Sequence, residues 1–404
     1  LKKQLLSTSA IALGVAFAAP ASAQEWDMTW GGFYNSHVGY VTVDSNTLAH
    51  NPVGGPSADF DGVDVFANTE IHFKPSVTLD NGLTFGVDVQ MEGTNNGGGA
   101  TGIDETYMFI KGDTLGKIEL GNENSAGYKM TVAAPQVKGG ITINSPSISG
   151  FVPISNAAGG NLPWLFRDSG ISSYAEVLGN NDVPRISYYT PSFNGLTLGV
   201  SYAASSNVNS AAVAGGGNNA GNNFGVNRNI GVSDIFDIGL AYSQSFNGVD
   251  VDFSARWGTA ENNTAVPGTD DPEVWNVGAS IGFSGWTIGG GYGENDNGGL
   301  RAFDSEGWSL GVTYDIAGPW SVGFDTYQGE YKGNAAGGGA SGDTAEYEAY
   351  QLVGSRSLGA GVTWAVYAAY VEGSVNANLG GTFGANANTE TEGTLIGTSI
   401  NLSF

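Results

Sequence analysis

Cysteine is absent from the 404 residues. That removes disulfides and thiolate metal sites, and it is compatible with an oxidising compartment. Charged residues make up only 13% of the chain, about half the usual share. Basic residues are scarcest: 14 Lys and Arg stand against 39 Asp and Glu, for a net charge of −25. This balance excludes a nucleic-acid partner, which needs a basic footprint. Beyond the N-terminus no apolar run reaches the roughly 18 residues of a spanning helix. Mean hydropathy is −0.09, too polar for a bundle of such helices. Catalytic patterns are lacking too. His37, His50 and His72 fall on separate segments, none with zinc-ligand spacing or a G-x-S-x-G elbow. The Gly-rich runs lie between strand-like segments rather than opening helices, so they are not phosphate loops.

What the chain does have is glycine, 65 residues, and aromatics, 11%; the aromatic content argues against disorder. At the N-terminus, Lys2 and Lys3 precede an apolar stretch from Leu5 to Ala19. Ala21-Ser22-Ala23 follows as an A-x-A cleavage site. Residues 1–23 are therefore expected to be a signal peptide, and N-terminal sequencing of the exported protein should begin at Gln24. Without it the chain has 12 basic and 39 acidic residues, a net charge of −27.

The remainder alternates. Val63, Val65, Ala67, Thr69, Ile71, Phe73, Val77 and Leu79 share one parity. Asp64, Asn68, Glu70, His72, Lys74 and Ser76 share the other, with Phe66 as an apolar intruder. Successive strand side chains point to opposite faces, so one face is oily and the other wet. Asp80-Asn81-Gly82 is a tight hairpin turn. The pattern recurs at 83–92, 236–243, 249–258, 308–315 and 363–370. On the wet face, small residues such as Gly239, Ala241, Gly311 and Ala365 are expected to leave room for water. Segments 103–111 and 344–356 alternate poorly, and their faces stay unassigned.

Short turns near 80–82, 112–116, 193–195, 246–248, 284–285, 317–319 and 358–361 take turns with long Gly/Asn-rich loops. This predicts an all-β fold: a transmembrane antiparallel barrel of about 16 strands, with short periplasmic turns and long outer loops. A sheet of that size closes to remove its edges and leaves an aqueous lumen. Trp26, Trp30, Trp286, Trp320 and Phe404 are expected in interfacial girdles.

Two patches resemble a known family. Residues 112–128 read GDTLGKIELGNENSAGY, and residues 184–202 read PRISYYTPSFNGLTLGVSY. With the C-terminal TSINLSF, they resemble trimeric general porins of Gram-negative bacteria, in particular the alphaproteobacterial, Rhodobacter-like branch. The resemblance implies sixteen strands, a homotrimer in the outer membrane, and a third loop, about 123–183, folded into the lumen. It also implies that Ile400, Leu402 and Phe404 form a C-terminal signal read by the barrel-assembly machinery.

In such a barrel the working chemistry is a field across a constriction. The loop acids Asp168, Glu176 and Asp182 are expected to face the bases Lys74, Arg185 and Arg256 on inward parity. The signal peptide, alternation, loop asymmetry and C-terminal Phe404 predict a passive channel for ions and small hydrophilic solutes rather than an enzyme, and the acid excess predicts a weak cation preference. Alternatives are a substrate-specific channel, for example for sugar with a track of Tyr189, Tyr327 and Tyr367, and a non-channel structural barrel. No cofactor is expected beyond a candidate Ca²⁺ site at Asp59, Asp61 and Asp64, which supplies the oxygen ligands such an ion takes but lacks the full EF-hand pattern.

Overall fold

Alternation becomes sixteen strands in the computed structural model. It describes residues 25–45, 60–95, 102–143, 176–205, 226, 228–229, 231–264, 266–301, 303–333, 342, 344–375 and 389–404. The expected signal peptide, Asp59 and Asp168 lie outside these residues.

The first strands are β1 (Asp27–Ser45), β2 (Gly62–Thr78), β3 (Thr84–Asn95) and β4 (Gly102–Gly112). Next come β5 (Gly116–Glu123), β6 (Val183–Tyr189), β7 (Leu196–Ser205) and β8 (Val232–Phe246). They are followed by β9 (Val249–Asn262), β10 (Glu273–Phe283), β11 (Trp286–Asp296) and β12 (Phe303–Asp315). The last four are β13 (Trp320–Gly333), β14 (Thr344–Gly359), β15 (Val362–Val375) and β16 (Thr389–Ser403). Each pairs antiparallel with its sequence neighbours, and β1 pairs with β16 to close the barrel. The closing seam ends at the terminal residue. Gly32 N–H donates to Phe404 O at 3.0 Å, and Phe404 N–H donates to Gly32 O at 3.1 Å.

Outward positions are apolar and exposed, for example Leu310, Leu352 and Ile396, as a lipid-facing band requires. Ile400, Leu402 and Phe404 are all exposed. At the short-turn end Trp286 stacks on Tyr314 at 4.5 Å, Trp30 meets Phe73 at 4.7 Å, and Trp320 meets Trp364 at 6.1 Å. At the long-loop end Trp275 packs on Tyr292 at 5.5 Å and Tyr350 on Tyr370 at 6.4 Å. These two rings match amphipathic side chains at the two interfaces of a bilayer.

The segments that resisted a parity reading do have faces. On β4, Glu105 and Tyr107 point inward. On β14, Ala345, Tyr347, Ala349, Gln351 and Val353 do. The β14 alternation is blurred because its inner face is also buried, in a cluster with Val137, Ile141 and Ile143 of the third loop. Phe66, which broke the parity of β2, is buried at an inward position and packs against His37 at 5.6 Å.

Beyond the upper aromatic ring, on the same parity, carboxylates oppose one another across strands: Glu294↔Glu306, Glu306↔Glu330 and Glu330↔Glu346. Lys332 relieves part of this, at 2.8 Å from Glu306 and 3.8 Å from Glu330. Like charges placed directly opposite destabilise a sheet. Glu346→Gln should therefore raise the urea midpoint of the folded barrel. The gain belongs at the low end of the roughly 0.2–1 kcal/mol range for such pairs, because both groups are solvated.

Candidate functional site

A lumen is shaped by whatever its wall carries, and here the wall carries the third loop. After β5 the chain turns inward through a short helix, α1 (Ala126–Lys129), capped by Ser125, whose Oγ accepts the Tyr128 N–H. From there to Ile143 the loop lies along the inner wall as a strap. Inward side chains of successive strands hold its backbone. Ser201 Oγ on β7 accepts from Ala126 N–H at 2.7 Å, and Asp237 on β8 accepts from Gly127 N–H at 2.6 Å. Ser254 on β9 accepts from Val132 N–H at 2.7 Å, and Ser309 on β12 from Ala134 N–H at 3.2 Å. Gln136 donates to Asp325 on β13 at 2.8 Å. Ser399 Oγ on β16 donates to Gly139 O at 2.6 Å. The strap then bends back to β14, where Gln351 both accepts from Ile141 N–H and donates to Ile141 O, and Tyr347 donates to Ile143 O. Irregular backbone at membrane depth needs such partners.

The small inward residues make this possible. A Cβ on Gly278 would stand 1.8 Å from Val132 O, and one on Gly311 2.4 Å from Pro135 O. One on Gly323 would stand 2.6 Å from Val137 Cγ2. The small residues of the wet face therefore admit a polypeptide strap over this part of the wall, where the sequence reading assigns them to water.

Both ends of the loop meet in one buried lock. Glu176 Oε1 accepts the Ser125 N–H at 2.6 Å, joining the end of the loop to its start. Arg256 on β9 donates to Asp237 Oδ2 at 2.5 Å, to Ser125 Oγ at 3.2 Å and to Glu176 Oε2 at 3.3 Å. Arg185 on β6 donates to Asn180 O at 2.5 Å, and its other terminal nitrogen lies 4.0 Å from Glu176. Arg301 donates to Leu178 O at 2.6 Å. Glu176, Asp237, Arg185 and Arg256 are all buried, none above 6% exposed. The structure thus differs from the expected arrangement. Glu176, Arg185 and Arg256 do not face one another across water; they touch, and they fasten the loop to the wall. Such a pairing outweighs the cost of desolvating its charges only if every partner is present.

Asp182 takes a left-handed backbone conformation (φ 50°) and accepts from Asn181 Nδ2 at 2.5 Å. Lys74 joins a second group on the inner wall of β2–β5, where the bonds of residues 126–143 described above do not reach, Lys129 aside. Lys74 Nζ is 3.1 Å from Asp88, which also lies 3.4 Å from His72 and accepts from Tyr107 OH at 3.2 Å. Glu105 accepts from Gln90 at 2.7 Å and from Asn124. On β5, Glu119 lies 2.6 Å from Lys117 and 3.1 Å from Lys129, and Glu123 lies 2.7 Å from Lys129. The sequence reading passed over Asp88, Glu119, Glu123 and Asp237. The signal was present: Lys117, Glu119 and Glu123 share one parity in GKIELGNE, and Asp237 sits among Gly239 and Ala241.

Of the candidate Ca²⁺ ligands, Asp61 accepts from Val43 N–H at 2.8 Å and Asp64 from Val65 N–H at 2.7 Å. Among the described residues no three acidic or imidazole groups are placed to hold a metal. The aromatic track is also rearranged. Tyr327 and Tyr367 point inward but are buried in the cluster with Val137 and Ile141, and Lys117 Nζ lies 5.2 Å from the Tyr189 ring centroid.

Arg256→Met would strand Glu176 and Asp237 without their shared cation. Removing one member of a buried ion cluster costs roughly 3–5 kcal/mol. The expected outcome is a lower urea midpoint and faster proteolysis within the third loop of the folded barrel.

A family profile for Gram-negative porins matches residues 7–377. A comparison with curated proteins gives no match. Among solved structures, the anion-selective porin from Comamonas acidovorans aligns with a TM-score of 0.56 at 17% identity, covering 94% of this chain and all of that one. OmpT of Vibrio cholerae, in a trimer form, gives 0.55 at 10% identity over 94% of this chain and 99% of its own. A mutant of the Rh. blastica porin gives 0.50 at 14% identity over 94% and 100%. At such identities the structures speak for the barrel fold; the profile, spanning nearly the whole sequence, speaks for the family, and the chain belongs to the Gram-negative porins, channels of the outer membrane.

Proposed function

We propose that the chain works as a passive, water-filled diffusion channel for ions and small hydrophilic solutes, weakly cation-preferring and trimeric. The observation that carries the preference is the charge on the inner wall of β2–β5. Glu70, Asp88, Glu92, Glu105, Glu119 and Glu123 lie there against Lys74, Lys111, Lys117 and the loop's Lys129. A net negative passage with low-dielectric walls concentrates cations and repels anions. The Comamonas porin is anion-selective, but at 17% identity its wall charges are its own. The trimer form of the Vibrio protein and the exposed apolar outer wall support assembly of copies within the lipid. Ile400, Leu402 and Phe404, exposed on the closing strand, are suited to recognition by the barrel-assembly machinery. Diffusion requires no catalytic group, and none is assigned.

A sugar-specific channel is the weaker reading, because the aromatic surface it would slide along is covered by the strap at Tyr327 and Tyr367. The deciding measurement is single-channel recording in a planar bilayer under a KCl gradient. Steps that close in threes, with a reversal potential modestly toward cations, are the expected result. A reversal potential toward anions would overturn the selectivity, and saturable block by a sugar would favour the specific channel.

A further inference from the structure

The expected electrostatics of the lumen placed acids on the third loop and bases on the wall. At Lys129, beside the lock of Glu176 and Arg256, the arrangement is the reverse. Glu119 and Glu123 belong to the wall strand β5, and the cation that meets them, Lys129, belongs to the loop. Its ammonium lies 2.7 Å from Glu123 Oε1 and 3.1 Å from Glu119 Oε2, and 4.8 Å from the centroid of the Tyr107 ring. Glu119 and Glu123 have 1% of their side-chain surface exposed, against 25% for Lys129. Of the three side chains, Lys129 alone keeps appreciable exposure. Burial disfavours this charge, but Glu123 and Glu119 outweigh it and hold the lysine pKa above its ordinary value.

The other neighbours do not replace it. Lys117 reaches Glu119 at 2.6 Å. Glu123 receives the Asn124 N–H at 3.0 Å, a dipole without net charge. Glu105, Glu119 and Asp88 all press on the same region, Tyr107 and Tyr189 being neutral members of it. With Lys129 removed, the wall gains one uncompensated negative charge at Glu123.

We propose that Lys129 is a specificity-determining residue of this channel: carried on the third loop, it masks the wall carboxylates Glu119 and Glu123 and so keeps the cation preference weak. The inference rests on the channel reading above. It makes selectivity a property of where the loop is held, since the lock at Ser125 and Glu176 fixes the helix from which Lys129 projects.

The test is the reversal potential of single channels at alkaline pH, where carboxylates keep their charge, with folding checked by heat-modifiability. Lys129→Gln should raise the cation-to-anion permeability ratio roughly twofold or more, one unit of charge being added beside the passage. Adding Glu123→Gln to that variant should return the ratio toward the starting value, and Lys129→Arg should keep it there. Glu123→Gln alone, which leaves the lysine partly uncompensated, should move the ratio toward anions, and it serves if Lys129→Gln fails to fold. A lysine that merely props the loop would change conductance and leave the ratio fixed. Unchanged ratios in conducting Lys129→Gln and Glu123→Gln channels would overturn the proposal. A parent protein that folds but conducts nothing would instead overturn the channel reading.

Discussion

Everything inside this barrel depends on hydrogen bonding between the third loop's backbone and the inward side chains of the wall. Eighteen residues without sheet partners, 126–143, run along the barrel interior, and their amides and carbonyls need partners there. Ser201, Asp237, Ser254, Ser309, Gln351 and Ser399 supply them, one strand after another. Glycines on the same faces let the two backbones approach; at Gly278 a single methyl group would collide with Val132 O. The wall and the loop are complementary surfaces, and neither can be changed alone.

Charge is sorted by the same arrangement. Where the third loop begins and ends, opposite charges are buried together and act as a fastener between Ser125, Glu176, Asp237 and Arg256. On β2–β5 the carboxylates of Asp88, Glu105, Glu119 and Glu123 are buried while Lys74 and Lys117 are each more than 40% exposed, and this wall is where the proposed field on a passing ion would be set. Outside, at the long-loop rim, the excess acids oppose one another with little relief. Charge among the described residues thus falls into a buried cluster, a mixed inner wall and a hydrated rim, with different energetic consequences.

Some of this was legible in the residues. Alternation on β3, β8, β9, β12 and β15 gave the correct faces, because lipid outside and polar matter inside impose opposite chemistry at a period of two. The lettering failed on β14, where Tyr347, Ala349 and Val353 meet Ile141 and Ile143. A strand with lipid on one face and a packed loop on the other has no polar face with which to alternate. Phe66 was an exception for the same kind of cause, an inward residue with an aromatic neighbour in His37. Among the candidate site residues, Lys74, Arg185 and Arg256 were correctly placed inward by parity. Nothing in the residues could tell that Arg185 and Arg256 would be covered while Lys74 stays wet, because the covering group is a loop whose path has no period.

By itself, then, the sequence determined the barrel, its strand faces and its hairpin order, because local alternation and turn chemistry act through near neighbours along the chain. Only the tertiary structure decided which inward residues meet water. Ser125 and Glu176 are 51 residues apart in sequence and Gly127 and Asp237 are 110 apart, so their contacts arise from closure of the sheet and the path of the loop within it. The charge of a lumen residue is written in the chain, but its exposure depends on partners that the chain brings to it from far away.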